Sequence, residues 1–281
     1  MVEISVYLAF LSIPMQIPII KDIWPHRHIA WQFARREIEV QTRGSLFGLF
    51  WFVFNPLLHL GLYAIVFGLV MGGSFRNGIE AGPFDFPLGI FLGLTVLSLI
   101  NEAMSHAPSI ILGQSNLVLK VVFPLQILSI SSIAACLFRF TISIFLLFAG
   151  LLFLGPGLHW DALLFPFIII PLAIMALGLS WGISALSVYF RDNQHFISFF
   201  TMLLFYCSAI FYPPSRIPES IWIYLRYNPV LHAVNQSRNL LLWKTPVDWS
   251  IIANLYLLAF VIIILGYTLF RKLQSGFADV I

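Results

Sequence analysis

The chain has 281 residues, of which 60 % are hydrophobic and only 10 % charged, where a soluble domain carries about a quarter charged residues. So little charge cannot wet a folded surface, and the chain belongs in lipid. A net charge of +3 with scattered basic residues gives no footprint for nucleic acid, and two cysteines inside apolar runs, Cys136 and Cys207, make neither a disulfide framework nor a metal site.

The first residues do not read as a signal peptide: an acid stands at Glu3, no basic region precedes the apolar stretch, and Pro14 and Pro18 interrupt it. Residues 1–27 are expected to form an N-terminal cytoplasmic segment, with the first 20 lying on a surface or partly disordered. A seventh span there would reverse the N-terminus. Residues 28–45 form an interfacial amphipathic helix. Wound at about 100° per residue, Ile29, Ala30, Trp31, Phe33, Ala34, Ile38 and Val40 take one half of the wheel. His28, Gln32, Arg35, Arg36, Glu39 and Arg43 take the other. Glu37 interrupts the apolar half, so a buried polar contact is expected there. The helix is either a simple anchor or a lever that meets a cytoplasmic partner.

A span needs about 20 apolar residues. Runs at 46–71, 86–112, 125–154, 163–190 and 251–270 reach that length, and a shorter run at 196–212 makes six. The predicted fold is all-α and integral to the membrane, with one transmembrane domain over 46–273 and a cytoplasmic tail at 274–281. Counting Lys and Arg in the loops gives nine on the side of both termini and five opposite, which places both ends in the cytoplasm. Asn55-Pro56 predicts a kink in the first span, with His59 one turn on. Gly-x-x-x-Gly pairs at 44/48, 68/72, 89/93 and 178/182 would let helices approach closely, although 18 glycines produce such matches by chance. Tryptophans at 24, 31, 160, 222, 243 and 249 suit the headgroup belt.

Few residues are equipped for chemistry. No phosphate-binding GxxxxGK[ST] loop occurs, so the chain does not hydrolyse ATP alone, and no HExxH, GxSxG or paired-carboxylate arrangement marks it as an enzyme. Glu102 and Arg139 lie inside apolar runs, where a lone charge costs at least ~3 kcal/mol. They either pair between the second and third spans or face a wet channel, Glu102 in company with Asn101 and His106. An aromatic load of 16 % could also line a path on which sugar rings stack. The stretch 213–245 is too apolar for an open loop and too short-winded to cross. Two short helices divided at Asn228-Pro229 are expected, either dipping into the membrane and returning or resting on the outer surface.

Several segments taken in order resemble the permease subunits of type-2 ABC exporters, those for lipid-linked polysaccharides such as O-antigen, capsule and teichoic acid. They are Ala34-Arg35-Arg36-Glu37-Ile38 with Arg43-Gly44-Ser45 through Trp51 and Asn55-Pro56, then Ser115-Asn116 through Pro124-Leu125. Tyr189-Phe190-Arg191-Asp192 follows, and Phe211-Tyr212-Pro213, Ile217-Pro218, Asn228-Pro229 and Arg238 complete the set. Where that family often carries more basic residues after the Arg-acid pair, this chain has Val40-Gln41-Thr42.

The resemblance implies a homodimer working with two copies of an ATP-binding cassette subunit in the bacterial inner membrane, with ATP and Mg on that partner and no cofactor in this chain. It implies an interface helix carrying Arg35, Arg36, Glu37 and Arg43, and a coupling element of Asn116, Leu117, Lys120, Phe123 and Pro124 that grips the ATPase. Arg191 and Asp192 would be a second contact. An exit region of re-entrant helices would include Tyr212, Pro213, Pro218, Asn228, Pro229 and Arg238. Arg36 and Arg43 are cytoplasmic candidates for the phosphate of the lipid anchor. Rival readings are a permease for a small hydrophobic drug or lipid, an ion-coupled flippase and a membrane-bound transferase.

Overall fold

The computed structural model describes residues 24–43, 45, 47–70, 84–120 and 123–281. The segment 1–23, Gly44, Leu46, the stretch 71–83 and Val121-Val122 lie outside the described residues, and so does the question of whether the first 20 residues enter a membrane. Every regular element among the described residues is helical.

A short 3-10 turn, Trp24–His26, leads into α1 (Arg27–Thr42). Helix α2 (Trp51–Tyr63) carries Pro56 in its interior and runs on into a π-helical stretch, Ala64–Val70. Pro56 has no N–H to give the ladder, and the chain widens into the π-helical stretch about two turns further on. Helices α3 (Asp85–Leu112), α4 (Ser115–Lys120) and α5 (Gln126–Phe153) follow. Then come α6 (Phe165–Tyr189), α7 (Asn193–Cys207), α8 (Glu219–Leu225), α9 (Pro229–Leu241), α10 (Trp249–Gln274) and α11 (Phe277–Val280).

Among the described residues five segments are long and apolar enough to cross a membrane: Gly48–Phe67, Asp85–Leu112, Gln126–Phe153, Trp160–Tyr189 and Trp249–Gln274. The 28 residues of α3 rise about 42 Å, more than a ~30 Å hydrocarbon core requires. The sequence expectation of a span at 196–212 meets a different helix. Helix α7 starts earlier, directly after the Arg191-Asp192 turn, and stops at Cys207, because Ala209 bends the chain at a φ of 50°. Its 15 residues rise only about 22 Å.

Helix α3 is the axis of the bundle, buried along almost its whole length and flanked by α5, α6, α7 and α9. Helix α10 lies along α6. Their backbones meet where Gly266 faces Gly178, a contact that only residues without a Cβ can make. Helix α1 lies against α5, with Ala34 buried and Phe33, Glu37 and Ile38 half-buried. The wheel put Trp31 and Val40 on the apolar half as well, but both are exposed, on the flanks of the packed face. Helix α2 buries no residue and α7 only Ile197, so both offer long apolar surfaces outward. Trp24 and Trp31 are exposed at the α1 and α4 end, Trp160 and Trp249 at the α9 end, which outlines two interfacial girdles.

The stretch after α7 folds as two short helices divided at Asn228-Pro229. Helix α8 buries no residue, while α9 packs against α3 and α6 with Val230, Leu231, Ala233 and Val234 inside. Residues 274–281, read from sequence as a tail, fold back onto the bundle as α11, with Phe277 fully buried.

Candidate functional site: a polar cavity beside the α1, α3 and α5 junction

Between α2, α3 and α5 lies a cavity of about 700 Å³. Its wall mixes amides and hydroxyls, including Gln41, Ser45, Asn55, Thr95, Ser98, Asn101 and Ser143, with the rings of Trp51, Phe52, Tyr63, Phe91 and Phe205. The rings continue toward the α9 end: Tyr63 to Phe67 at 6.3 Å, Phe67 to Phe211 at 5.3 Å, Phe211 to Phe205 at 5.4 Å between centroids. These separations are ordinary for aromatic pairs and give a continuous run of ring faces and edges. His59 contributes a fixed ring, its Nδ1 2.8 Å from the Asn55 carbonyl oxygen.

Glu102 and Arg139 meet at the cavity wall. Arg139 Nε donates to Glu102 Oε2 at 2.8 Å and Nη2 reaches the same oxygen at 2.6 Å. Nη1 donates to Gln41 Oε1 at 3.0 Å, and Nη2 also lies 3.2 Å from Cys136 Sγ. One guanidinium fork therefore ties α1, α3 and α5 together, and the paired charges avoid the cost of a lone ion in an apolar setting. Glu37, the acid on the packed face of α1, accepts a bond from Ser132 Oγ at 3.2 Å. Asn101 Oδ1 is buried with no hydrogen-bond partner among the described residues, beside the same cavity. That leaves it an open acceptor for a ligand hydroxyl or a water.

His106 stands apart from this cluster. It lines a second cavity of about 320 Å³ together with Arg36, Glu37, Ser109 and Gln114, between α1 and the junction of α3 with α5. Gln41 lines both cavities, so its bond to Arg139 stands between them. Arg35 pairs with Glu39 at 2.8 Å on the exposed face of α1, and Arg43 is exposed at the helix end.

The candidate coupling residues gather at the α1 end. Asn116, Leu117 and Lys120 fall on α4, and Leu117 turns inward onto an apolar cluster. The Phe123 ring stands 5.4 Å from Phe33 of α1, and the Pro124 carbonyl accepts from Ile127 N–H at the start of α5. Arg191 and Asp192 are exposed in the turn between α6 and α7, where the Asp192 carbonyl accepts from His195 N–H.

At the opposite end Arg238 is completely buried. It donates through Nε to Gly89 O at 3.1 Å, through Nη1 to Ala209 O at 2.8 Å and through Nη2 to Ile210 O at 2.6 Å. Asn228 caps α9, accepting from Val230 N–H at 3.0 Å, while its Nδ2 donates to Cys207 O at 3.0 Å. Tyr212 Oη donates to Tyr206 O at 2.7 Å, Pro213 is buried, and Pro218 precedes the first turn of α8. Arg238 and Asn228 thus brace the bend after α7 against α3 and α9.

Sequence reasoning passed over Gln41 and Ser132, the partners of Arg139 and Glu37. Their signal was available only as small polar residues within reach of flagged charges. Among the described residues no group of three or more His, Cys, Asp or Glu side chains could hold a metal ion.

Comparison with known proteins gives a consistent picture. A family model described as ABC-2 type transporter matches residues 30–242. The O-antigen export system permease protein RfbA of Klebsiella pneumoniae is 28 % identical over 250 residues, covering 88 % of this chain and 93 % of the relative. Its namesake in Myxococcus xanthus is 29 % identical over 203 residues, covering 72 % and 75 %. The polysialic acid transport protein KpsM of Escherichia coli is 21 % identical over 250 residues, covering 85 % and 91 %.

Proposed function

The chain belongs to the ABC-2 type transporter membrane family, and from that premise we propose that it is the membrane-spanning subunit of an ATP-driven exporter for a lipid-linked polysaccharide of O-antigen or capsule type. The observation that carries this reading is the likeness to an O-antigen export permease over 88 % of the chain. It is a multi-pass membrane protein and a transporter component rather than an enzyme. A separate ATP-binding cassette subunit supplies ATP hydrolysis and holds the Mg.

The assembly is two copies of this chain with two copies of the ATPase in the bacterial inner membrane, both termini cytoplasmic. The outward apolar surface of α2 supports a second copy as neighbour. In this reading α7 is the fifth of six spans, α1 is the interface helix, and α8 and α9 are the re-entrant pair at the exit. Helix α4 through Pro124 and the Arg191-Asp192 turn receive the ATPase. ATP binding closes the partner subunits, and α4 passes the motion to the bundle.

The cargo reading draws support from the cavity wall. Sugars present hydroxyls and apolar ring faces together, and this wall offers amides, hydroxyls and aromatic rings together. A dry pocket for a hydrophobic drug would not set Asn101, Glu102 and Arg139 in its lining. An ion-coupled flippase would offer its carboxylate to the ion, whereas Glu102 already spends its Oε2 on Arg139. Arg36, beside the second cavity, is the candidate for the anionic head of the lipid anchor as it leaves the cytoplasmic leaflet.

Purification of the tagged chain from its native membrane in mild detergent tests the reading. An ATP-binding subunit recovered at a 1:1 ratio with ATP hydrolysis is the expected result. A fully active protein with no ATPase bound overturns it. Export that survives replacement of 116–124 by a Gly/Ser linker overturns the coupling role of that segment.

A further inference from the structure

The hook formed by residues 275–281 does more than end a helix. Helix α10 stops at Gln274, and the turn at Gly276 is closed by Gly276 N–H to Leu273 O at 3.1 Å. That turn presses on α6: a Cβ at Gly276 would stand 2.5 Å from Tyr189 Oη. Tyr189 Oη itself donates to Leu273 O at 2.8 Å. The chain then inserts Phe277, fully buried, between Phe270 at 5.6 Å and Tyr189 at 6.1 Å between ring centroids. Ile281 N–H returns to Phe277 O at 3.1 Å, and Ile281 packs against the same cluster.

This cluster lies under α4. Phe277, Phe270 and Val188 are among its buried residues, and Leu117, Val118 and Phe123 of the α4 region pack onto it together with Phe33 of α1. Helix α11 touches both α4 and α6. A polar tie closes the ring on the far side. Gln126 Nε2 donates to Gln274 Oε1 at 3.1 Å, and Trp181 Nε1 donates to Gln126 O at 3.1 Å, joining the start of α5 to α6 and to the end of α10. A six-residue helix has no stability of its own and holds its place only by what lies beneath it.

We propose that the 275–281 hook is a brace that locks α4 to the ends of α6 and α10, so that a push on α4 moves the bundle instead of rocking α4 alone. The proposal deepens the exporter reading and rests on it for the source of the push. Phe277 is a positioning residue: it acts through Leu117 and Phe123 and touches neither ATP nor cargo.

The test uses the full chain with its ATPase partner. In Phe277→Ala the amides of 115–120 exchange hydrogen faster than in the parent protein, the complex still assembles, and glycan exported per ATP hydrolysed falls about fivefold or more. Phe277→Leu restores most of both. Tyr189→Phe, which keeps the ring and loses only the bond to Leu273, moves both readouts in the same direction by less. Leu147→Ala, in the main core away from the hook, lowers thermal stability without changing export per ATP. Unchanged exchange at 115–120 in Phe277→Ala overturns the brace, and so does faster exchange with unchanged export per ATP. A parent complex that hydrolyses ATP and exports no glycan overturns the cargo reading instead, while hydrogen exchange still decides the brace.

Discussion

The crossing of α6 and α10 makes a sharp forecast, because two glycines one turn apart on α6 differ in what surrounds them. A methyl at Gly178 would stand 2.6 Å from Ile262 O and 2.7 Å from Ile263 Cα, both backbone atoms that no rotamer change can move. To restore van der Waals distance α10 must shift by about 1 Å along a seam packed for its full length, and overpacking of that kind costs about 3 kcal/mol. Alanine recovers about 1 kcal/mol in helix propensity, which leaves Gly178→Ala destabilised by about 2 kcal/mol. At Gly182 the nearest atom to an added methyl is Gly266 Cα at 3.8 Å, an ordinary contact. Gly182→Ala therefore keeps the propensity gain and comes out neutral or stabilised by up to about 1 kcal/mol. Thermal unfolding of the purified chain in one detergent reads the difference, and for a protein of this size the Gly178 variant melts roughly 4–8 °C lower. A Gly178→Ala variant as stable as Gly182→Ala refutes the close-approach argument.

The Glu102–Arg139 pair predicts non-additivity: Glu102→Ala and Arg139→Ala each destabilise, and the double variant loses less than their sum by about 1–2 kcal/mol, a figure kept low because Glu102 is a third exposed. Additive losses in a denaturant titration would mean the contact is not felt. Arg238→Lys retains the charge but cannot serve three carbonyls in three directions, so unfolding measurements should register a loss of about 2–4 kcal/mol. A melting point equal to that of the parent protein would sink the bracing role. Asn228→Ala removes both the cap of α9 and the bond to Cys207 O, for a loss of about 2 kcal/mol in the same assay. Asn228→Asp keeps the cap acceptor and should recover about half of it.

Hydropathy located the long helices well because a buried or lipid-facing helix has to be apolar for about 20 residues whatever surrounds it. The runs at 86–112 and 251–270 differ from α3 and α10 by a few residues at the ends, where caps and turns decide. The buried contact at Glu37 followed from one acid on an apolar face, and the two short helices on either side of Asn228-Pro229 followed from the proline and the cap. The rest needed three dimensions. Nothing in the order of residues tells that Gly178 meets Gly266 while Gly182 has room, since the Gly-x-x-x-Gly spacing is the same for both. Arg238 entered only as one residue of the exit region that the resemblance implies, yet three carbonyls from α3 and the bend after α7 converge on it. Phe277 was invisible as a core residue: seven residues with one aromatic ring carry no periodicity, and only the position of Tyr189 gives the ring a place to go.

The length of α7 also bears on the lipid around it. At about 22 Å it falls roughly 8 Å short of a typical hydrocarbon core. It cannot lengthen, because the bend at Ala209 is pinned from one side by Arg238 and from the other by Asn228. Phe196, Phe199, Phe200 and Leu203 face outward along it, so acyl chains lying against that face must shorten or splay. With α7 as a span, the membrane is dimpled on this flank, and the dimple lies beside the same end of the bundle as α9. Acyl-chain length thereby becomes a working variable of the protein. A thick bilayer strains against α7 and a thin one relieves it, without any change in a single side chain.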